Sequence, residues 1–196
     1  MTVDDNGGQL YRVRITDQRV SPNRLHAVEE RLPLPALHVA SALADFNRNG
    51  KPELVAMEIG GTGYKPTQIF ERDTAGNYRS IFLTGEAFFP WAIGDTDGDG
   101  LIEILGNRNE QTFLIEQSTP SEFPEVMTWE ADGIWGGQIA DLDGDGRPEI
   151  ISRHSATNTI WIHEAIGNNR YRRIAELATP PLPPPSTGGD HGIGTT

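Results

Sequence analysis

The chain contains no cysteine in 196 residues. Disulfides, zinc–thiolate centres, iron–sulfur clusters and a cysteine nucleophile are thereby excluded together, while the compartment stays open, because secreted proteins without disulfides are common. Basic residues are scarce too. Sixteen Lys plus Arg stand against 28 Asp plus Glu, a formal net charge of −12 and a pI near 4.7. No cationic surplus is available to displace counterions from phosphate, so nucleic acid is not the expected ligand, and no polybasic patch exists for an anionic membrane. No apolar run approaches the length of a membrane span, so no membrane insertion is expected. The first residues, MTVDDNGGQLYRVRI, lack the basic and apolar regions of a secretory signal.

Helical periodicity is also missing. No window of about a dozen residues shows it, and the best candidate by composition, Ala36–Ala44, runs into an aspartate–glycine loop. With 22 Gly and 14 Pro the chain demands many turns and does not suit a helical bundle. Hydrophobic residues make up 36% and mean hydropathy is −0.44. Because the apolar residues come in short runs, a core is possible and wholesale disorder is not expected.

What is present is a repeat. The segments ALADFNRNGKPELVAM, AIGDTDGDGLIEILGN and QIADLDGDGRPEIISR superimpose, with first aspartates at Asp45, Asp95 and Asp141. The spacings, 50 residues from 45 to 95 and 46 from 95 to 141, suit a four-stranded propeller blade and exceed a leucine-rich repeat. β-Branched and aromatic runs between turn signals place four strands in each repeat. They are His38–Ala44, Glu53–Ile59, Thr67–Glu71 and Tyr78–Leu83, then Trp91–Gly94, Glu103–Gly106, Thr112–Glu116 and Val126–Glu130, then Gln138–Ala140, Glu149–Arg153, Thr159–His163 and Tyr171–Leu177. Gly106-Asn107 and Ser118–Pro124 read as turns of the second repeat. Gln9–Thr16 and His26–Leu32 read as two strands ending a preceding unit, and ATPPLPPPSTGG as a stiff connection to a further strand near His191–Thr196.

The expected fold is therefore all-β: β-propeller blades of four antiparallel strands, forming an incomplete or open arc of about four blades. Residues 1–36 would hold the terminal strands of a preceding blade, 37–86, 87–132 and 133–178 three intact blades, and 179–196 the Pro-rich linker and first strand of another. Closure as a four-bladed ring is the alternative. An open piece would leave unpaired strand edges and associate through them.

The loops DFNRNGKPE, DTDGDGLIE and DLDGDGRPE all fit D-x-[DN]-x-[DN]-G-x-x-E. Oxygen-bearing side chains at positions 1, 3 and 5 can converge as the chain curls, and glycine at 6 permits the curl. Hard, flexible carboxylate donors select Ca²⁺ over Mg²⁺ or a transition metal. The expected ligands are Asp45, Asn47, Asn49, Glu53 and the Lys51 carbonyl in the first loop. In the second they are Asp95, Asp97, Asp99, Glu103 and the Leu101 carbonyl, and in the third Asp141, Asp143, Asp145, Glu149 and the Arg147 carbonyl. Formal ligand charges of −2, −4 and −4 make the first site the weakest. Ten of the 28 acidic residues lie in these loops, and three Ca²⁺ would bring the chain from −12 to −6. A single loop of this kind would pass for an ordinary aspartate–glycine turn; three in register, each with Glu at position 9, would not. An EF-hand loop would need Glu at position 12, where Ala56, Gly106 and Ser152 stand.

These repeats resemble the FG-GAP/VCBS family, the calcium-loop blades of integrin α-chain propellers and of many bacterial cell-surface proteins. GDTDGDGLIEIL and ADLDGDGRPEII carry the resemblance, which covers about residues 37–178. It implies a loop between the first and second strands of a blade, with Ca²⁺ held through positions 1, 3, 5, 7 and 9. It also implies a non-catalytic role in adhesion or in contact with an extracellular protein or glycan, outside the cell or at its surface. Asn at both positions 3 and 5 of the first loop, and Glu at position 9 where Asp is frequent, depart from the family pattern.

Two other groups of residues are candidates for function. Phe88-Phe89-Pro90-Trp91 and Trp135 could stack on sugars or pack between blades, and packing is the expectation. Trp129 and Trp161 are expected in the core. Arg108 and Arg153, set in equivalent places after second strands, with His154 beside the latter, could serve a polysaccharide lyase. A polysaccharide lyase or hydrolase, with these blades as scaffold or part of the active site, is the alternative to a binding module. His26, His38, His154, His163 and His191 have no metal-ligand spacing.

Overall fold

A computed structural model describes residues 2–3, 10–15, 27–31, 38–60 and 63–179, with side chains placed for 43–57 and 65–179. The described residues form strands and turns without a helix. Strands β1 (Thr2–Val3), β2 (Leu10–Ile15) and β3 (Ala27–Arg31) make a three-stranded antiparallel sheet. Three four-stranded meanders follow, each a blade. The first contains β4 (His38–Ala44), β5 (Glu53–Gly60), β6 (Gly63–Arg72) and β7 (Tyr78–Leu83). The second contains β8 (Phe89–Gly94), β9 (Glu103–Arg108), β10 (Gln111–Glu116) and β11 (Val126–Asp132). The third contains β12 (Ile134–Ala140), β13 (Glu149–His154), β14 (Thr159–Gly167) and β15 (Arg170–Ala178). In every blade the strands pair in chain order, antiparallel. The expected first strand of a further blade lies outside the described residues.

Strands β4, β8 and β12 begin their blades and stand side by side in that order, β8 packing against both of the others. The arrangement is an open arc. Each of the three strands carries a register shift against its neighbour, between Ala40 and Ala42, Pro90 and Ala92, and Trp135 and Gln138. A bulge there bends the strand and gives Pro90, which has no amide hydrogen, a place in the sheet.

Burial follows from the arc. The second blade is covered on both faces, and its middle strands β9 and β10 are almost wholly buried, whereas the outer strand β11 is mostly wet. Among the described residues the third blade has a neighbour on one face only. Leu142, Ile166, Ile174 and Leu177 are accordingly exposed. The main core joins the first two blades: Phe46, Val55 and Ile69 pack with Phe88, Ile104, Phe113 and Ile115.

One expected turn is strand instead. Strand β9 runs through Gly106 and Asn107 to Arg108, and the reversal falls at Asn109 and Glu110, both at positive φ. Gly106 is glycine because space is short: a Cβ there would stand 2.7 Å from Phe88 and 2.8 Å from Phe113. Asn107 is buried and donates Nδ2 to the carbonyls of Gln111 and Ile134, at 3.0 and 3.2 Å. The polar dipeptide thus ties β9 to the next blade.

Both Trp129 and Trp161 are half-buried; Trp129 packs against the core cluster of Ala92, Leu105, Leu114 and Ile150, whereas Trp161 does not. Trp129 tilts against Tyr171, and Trp161 stacks on His154 with ring centroids 3.9 Å apart while the Arg173 guanidinium lies 4.2 Å from its ring. Among the described residues the rings against Trp161 come from the third blade itself, whereas Trp129, on β11, lies between the second and third blades.

Candidate metal centre

Each acidic loop joins the first and second strands of a blade, and backbone amides shape it in the same way. Asp45, Asp95 and Asp141 each accept two amides from within the loop, the second always from the glycine at position 6: Gly50 at 2.8 Å, Gly100 at 2.9 Å and Gly146 at 3.1 Å. Position 5 accepts the amide of position 7, Lys51 to Asn49 at 2.8 Å, Leu101 to Asp99 at 2.9 Å and Arg147 to Asp145 at 2.8 Å. These bonds hold each loop in a tight curl.

In the second loop, carboxylate oxygens of Asp95, Asp97 and Asp99 lie within 4.8 Å of one another; in the third, those of Asp141, Asp143 and Asp145 do the same. Two oxygens on opposite sides of a Ca²⁺ ion stand about 4.6–5.2 Å apart, given metal–oxygen distances of about 2.3–2.6 Å. Both triads therefore fit a calcium-sized cation. The first loop offers Asp45 with two neutral amides, Asn47 and Asn49, and no group of three acidic ligands.

Position 9 is buried in all three loops. One oxygen of Glu53, Glu103 and Glu149 accepts the amide of the position 2 residue, from Phe46 at 2.8 Å, Thr96 at 2.8 Å and Leu142 at 2.7 Å. The other oxygen differs between blades. Glu103 Oε1 and Glu149 Oε1 are buried without a hydrogen-bond partner. Glu53 Oε1 accepts the Asn47 side-chain amide at 2.9 Å. Burial pushes the Glu103 carboxyl up to about 8, helped by repulsion from Asp97, Asp95 and Glu116. Burial also raises Glu53, against the lowering effect of the Phe46 amide.

At position 9, Glu103 groups with Asp97 and Glu116, and Glu149 lies outside the group of Asp141, Asp143 and Asp145.

The sequence pattern alone did not reveal a further acidic position. Glu116, on β10, is the cross-strand partner of Glu103. Glu71 and Glu164 occupy the same place, one step beyond the pairs Leu54–Phe70 and Ile150–His163. The signal lay in the repeat alignment, as a glutamate in the third strand of each blade at the place opposite position 9. Burial is the main reason the Glu116 carboxyl is raised, with Asp99, Asp97 and Asp95 adding to it. Glu71 is lowered, chiefly by its bond from Asn49, with Lys51 3.3 Å away.

Neighbouring blades hold the loops in place. Phe46, at position 2 of the first loop, enters the core of the second blade, and its carbonyl accepts Gln117 Nε2 at 2.8 Å. The Thr96 hydroxyl, at the same position of the second loop, meets the Tyr171 hydroxyl of the third blade at 2.7 Å. Asn168 and Asn169, in the turn between β14 and β15, reach Asp99 and Asp97, both at 2.6 Å.

The other candidates lie apart from the loops. Phe88 is buried edge-to-face on Phe113, and the Trp91 ring lies against Gly136 of the next blade, so both serve packing; Trp135 is exposed. Arg108 ends β9, pairs with Glu86 and lies over Phe113. Arg153 lies inside β13 and donates to Asn158 at 2.7 Å. Counted from position 9, it is His154 and not Arg153 that matches Arg108, because each stands five residues on. A cleft of about 410 Å³ between the first two blades includes Glu86, Phe88, Arg108 and Phe113 and none of the loop carboxylates. Among the described residues no helix is long and apolar enough to cross a membrane.

No curated protein matches the chain. Residues 95–152 match the family model described as FG-GAP-like repeat. The stretch runs from the first aspartate of the second loop through the whole third loop into β13, and over it the chain carries the FG-GAP-like repeat.

Proposed function

We propose that this chain is a calcium-stapled β-propeller repeat module of a secreted or cell-surface protein, non-catalytic, which presents its loops to a protein or glycan partner. The observation that carries the calcium reading is the convergence of Asp95, Asp97 and Asp99, and of Asp141, Asp143 and Asp145, on calcium-sized centres. The FG-GAP-like match over the same two loops supports it. Ca²⁺ would supply the positive charge that the clustered carboxylates lack and would fix the loop against the blade. The non-catalytic reading draws on Arg108 and Arg153, whose guanidiniums are already engaged by Glu86 and Asn158.

Extracellular modules of this type bind calcium with dissociation constants of about 10⁻⁴–10⁻³ M. At about 1 mM Ca²⁺ and about 10⁻⁴ M, each site adds roughly 1.4 kcal/mol by mass action. The test is thermal unfolding in EDTA and in millimolar Ca²⁺. A clear rise with calcium supports the staple; superimposable curves reject it. Incubation with uronic-acid polymers, watched for absorbance of unsaturated ends, tests the non-catalytic part, which sustained turnover would overturn.

A further inference from the structure

The glutamate opposite position 9 meets a different environment in each blade. Glu71 accepts Asn49 and pairs with Lys51 at 3.3 Å. Glu164 has Arg172 at 3.9 Å. Glu116 has no cation among the described residues. It is 5% exposed, its Oε2 accepts Asn169 Nδ2 at 3.1 Å, and its Oε1 is buried with no partner. Facing it across the strand pair is Glu103, 0% exposed, whose Oε1 is likewise buried and unpartnered.

Carboxylate oxygens of Asp97, Glu103 and Glu116 lie within 4.8 Å of one another, and this set shares only Asp97 with the loop triad of Asp95, Asp97 and Asp99. The five carboxylates therefore fall into two overlapping groups that meet at Asp97. Among the described residues none of the five is ion-paired to Lys or Arg. Unpaired buried carboxylates are costly, and a hard dication is the partner that oxygen-only donors select. One Ca²⁺ would leave the five with a formal −3, and two would leave −1.

We propose that the second blade holds two divalent cations of the calcium class, an outer one at Asp95, Asp97 and Asp99 and an inner one at Asp97, Glu103 and Glu116, bridged by Asp97. The inner ion is buried at the junction of two blades. Asn169 of the third blade bonds Asp97 through its amide and Glu116 through its side chain, and its own Oδ1 is buried without a partner, a neutral oxygen on the same side chain. The inner ion thereby fastens the third blade to the second. The inference rests on the calcium reading of the loops and adds a site that the loop pattern does not contain.

The test is calorimetric Ca²⁺ titration of the full chain with the first and third loops silenced by Asp45→Asn, Asp141→Asn and Asp143→Asn. These changes leave every side chain of the second blade as it is. Two ions bound is the expected count. A count of one overturns the inner site and leaves the calcium reading standing; a count of zero overturns both. Adding Glu116→Gln, which keeps the shape and removes the charge, should lower the count from two to one. A count of two with Glu116→Gln present would remove Glu116 from the site and overturn the assignment. If that variant does not fold, the count for the silenced chain decides alone.

Discussion

The side-chain amide of Asn47 donates to Glu53 Oε1 at 2.9 Å, while Phe46 donates its backbone amide to Glu53 Oε2 at 2.8 Å, so the first loop satisfies its buried glutamate with protein donors alone. In the second and third loops position 3 is Asp, which has no donor to offer, and Oε1 of Glu103 and Glu149 is left without a partner. The presence of Asn for Asp at one position thus replaces an unpartnered carboxylate oxygen with a hydrogen bond. Converting Asn47→Asp should remove that bond and place a second charge beside Glu53. In EDTA the cost should be about 1–3 kcal/mol, the range for a buried acceptor left unsatisfied. Millimolar Ca²⁺ should restore most of it. Urea unfolding of both proteins in EDTA and in Ca²⁺ measures this; equal stability in EDTA would show that the Asn47 bond contributes nothing.

The pH response of the cation-free chain follows from Glu103. Burial and neighbouring carboxylates push it up to about 8 in the folded chain, from an ordinary value of 4.5. The folded state therefore holds a proton that the unfolded state releases, and stability present below pH 4.5 is lost as pH rises toward 8. With Ca²⁺ bound the carboxylate is ionised and paired, so this loss should disappear. Calcium binding near pH 7 should also release a proton from Glu103. Stability measured from pH 5 to 8 in EDTA and in Ca²⁺ tests the first part, and calorimetry in buffers of different ionisation enthalpy tests the second. A cation-free chain that grows more stable over this range would contradict the assignment.

Position 2 of the loops separates blade contact from loop shape. Phe46 is fully buried in the core of the following blade, whereas Leu142, the same position in the third loop, is 54% exposed with no described blade beyond it. Phe46→Ala should cost about 3–5 kcal/mol, as large-to-small changes in a core do. Leu142→Ala should stay within about 0.5 kcal/mol. Both keep the backbone amide that holds position 9, so calcium binding by the second loop should be unchanged in each. Chemical denaturation of the two variants gives the comparison, and similar losses would mean that the position acts through the loop and not through packing.

Most of this architecture could be read from the repeat. The strands His38–Ala44 and Tyr78–Leu83 fall where β-branched and aromatic runs place them, because a strand between two turn signals has little freedom to slide. The aspartates converge as the loop pattern implies, since their positions are fixed by local amide bonds. Glu116 could not be seen in the same way. It stands 13 residues after Glu103, and only the β9–β10 register makes the two neighbours. Burial of Trp161 was also beyond the sequence, because an aromatic in a strand is core only if another blade covers it. Gly106-Asn107 looked like a turn because that pair favours turns locally. Contacts with Phe88 and Ile134, distant in the chain, and with Phe113 across the hairpin made it strand.

Gly106 and Gly100 should respond to alanine for opposite reasons. Gly106 lies in a strand where a Cβ would press on two phenylalanine rings at 2.7 and 2.8 Å. Alanine there gains roughly 0.4–1 kcal/mol from the unfolded chain's lower entropy. Overpacking costs about 1–3 kcal/mol and outweighs that gain, since both rings are buried and cannot swing away. Gly106→Ala should therefore lower stability equally in EDTA and in Ca²⁺. At Gly100 there is open space, but its φ is +88° and its amide holds Asp95 Oδ2. Alanine there strains the backbone by about 1–2 kcal/mol and distorts the ligand loop. Its effect should fall mainly on calcium affinity and on stability in Ca²⁺. If Gly100→Ala instead left the calcium titration unchanged, the curl held by Gly100 would not be what positions Asp95 for the ion.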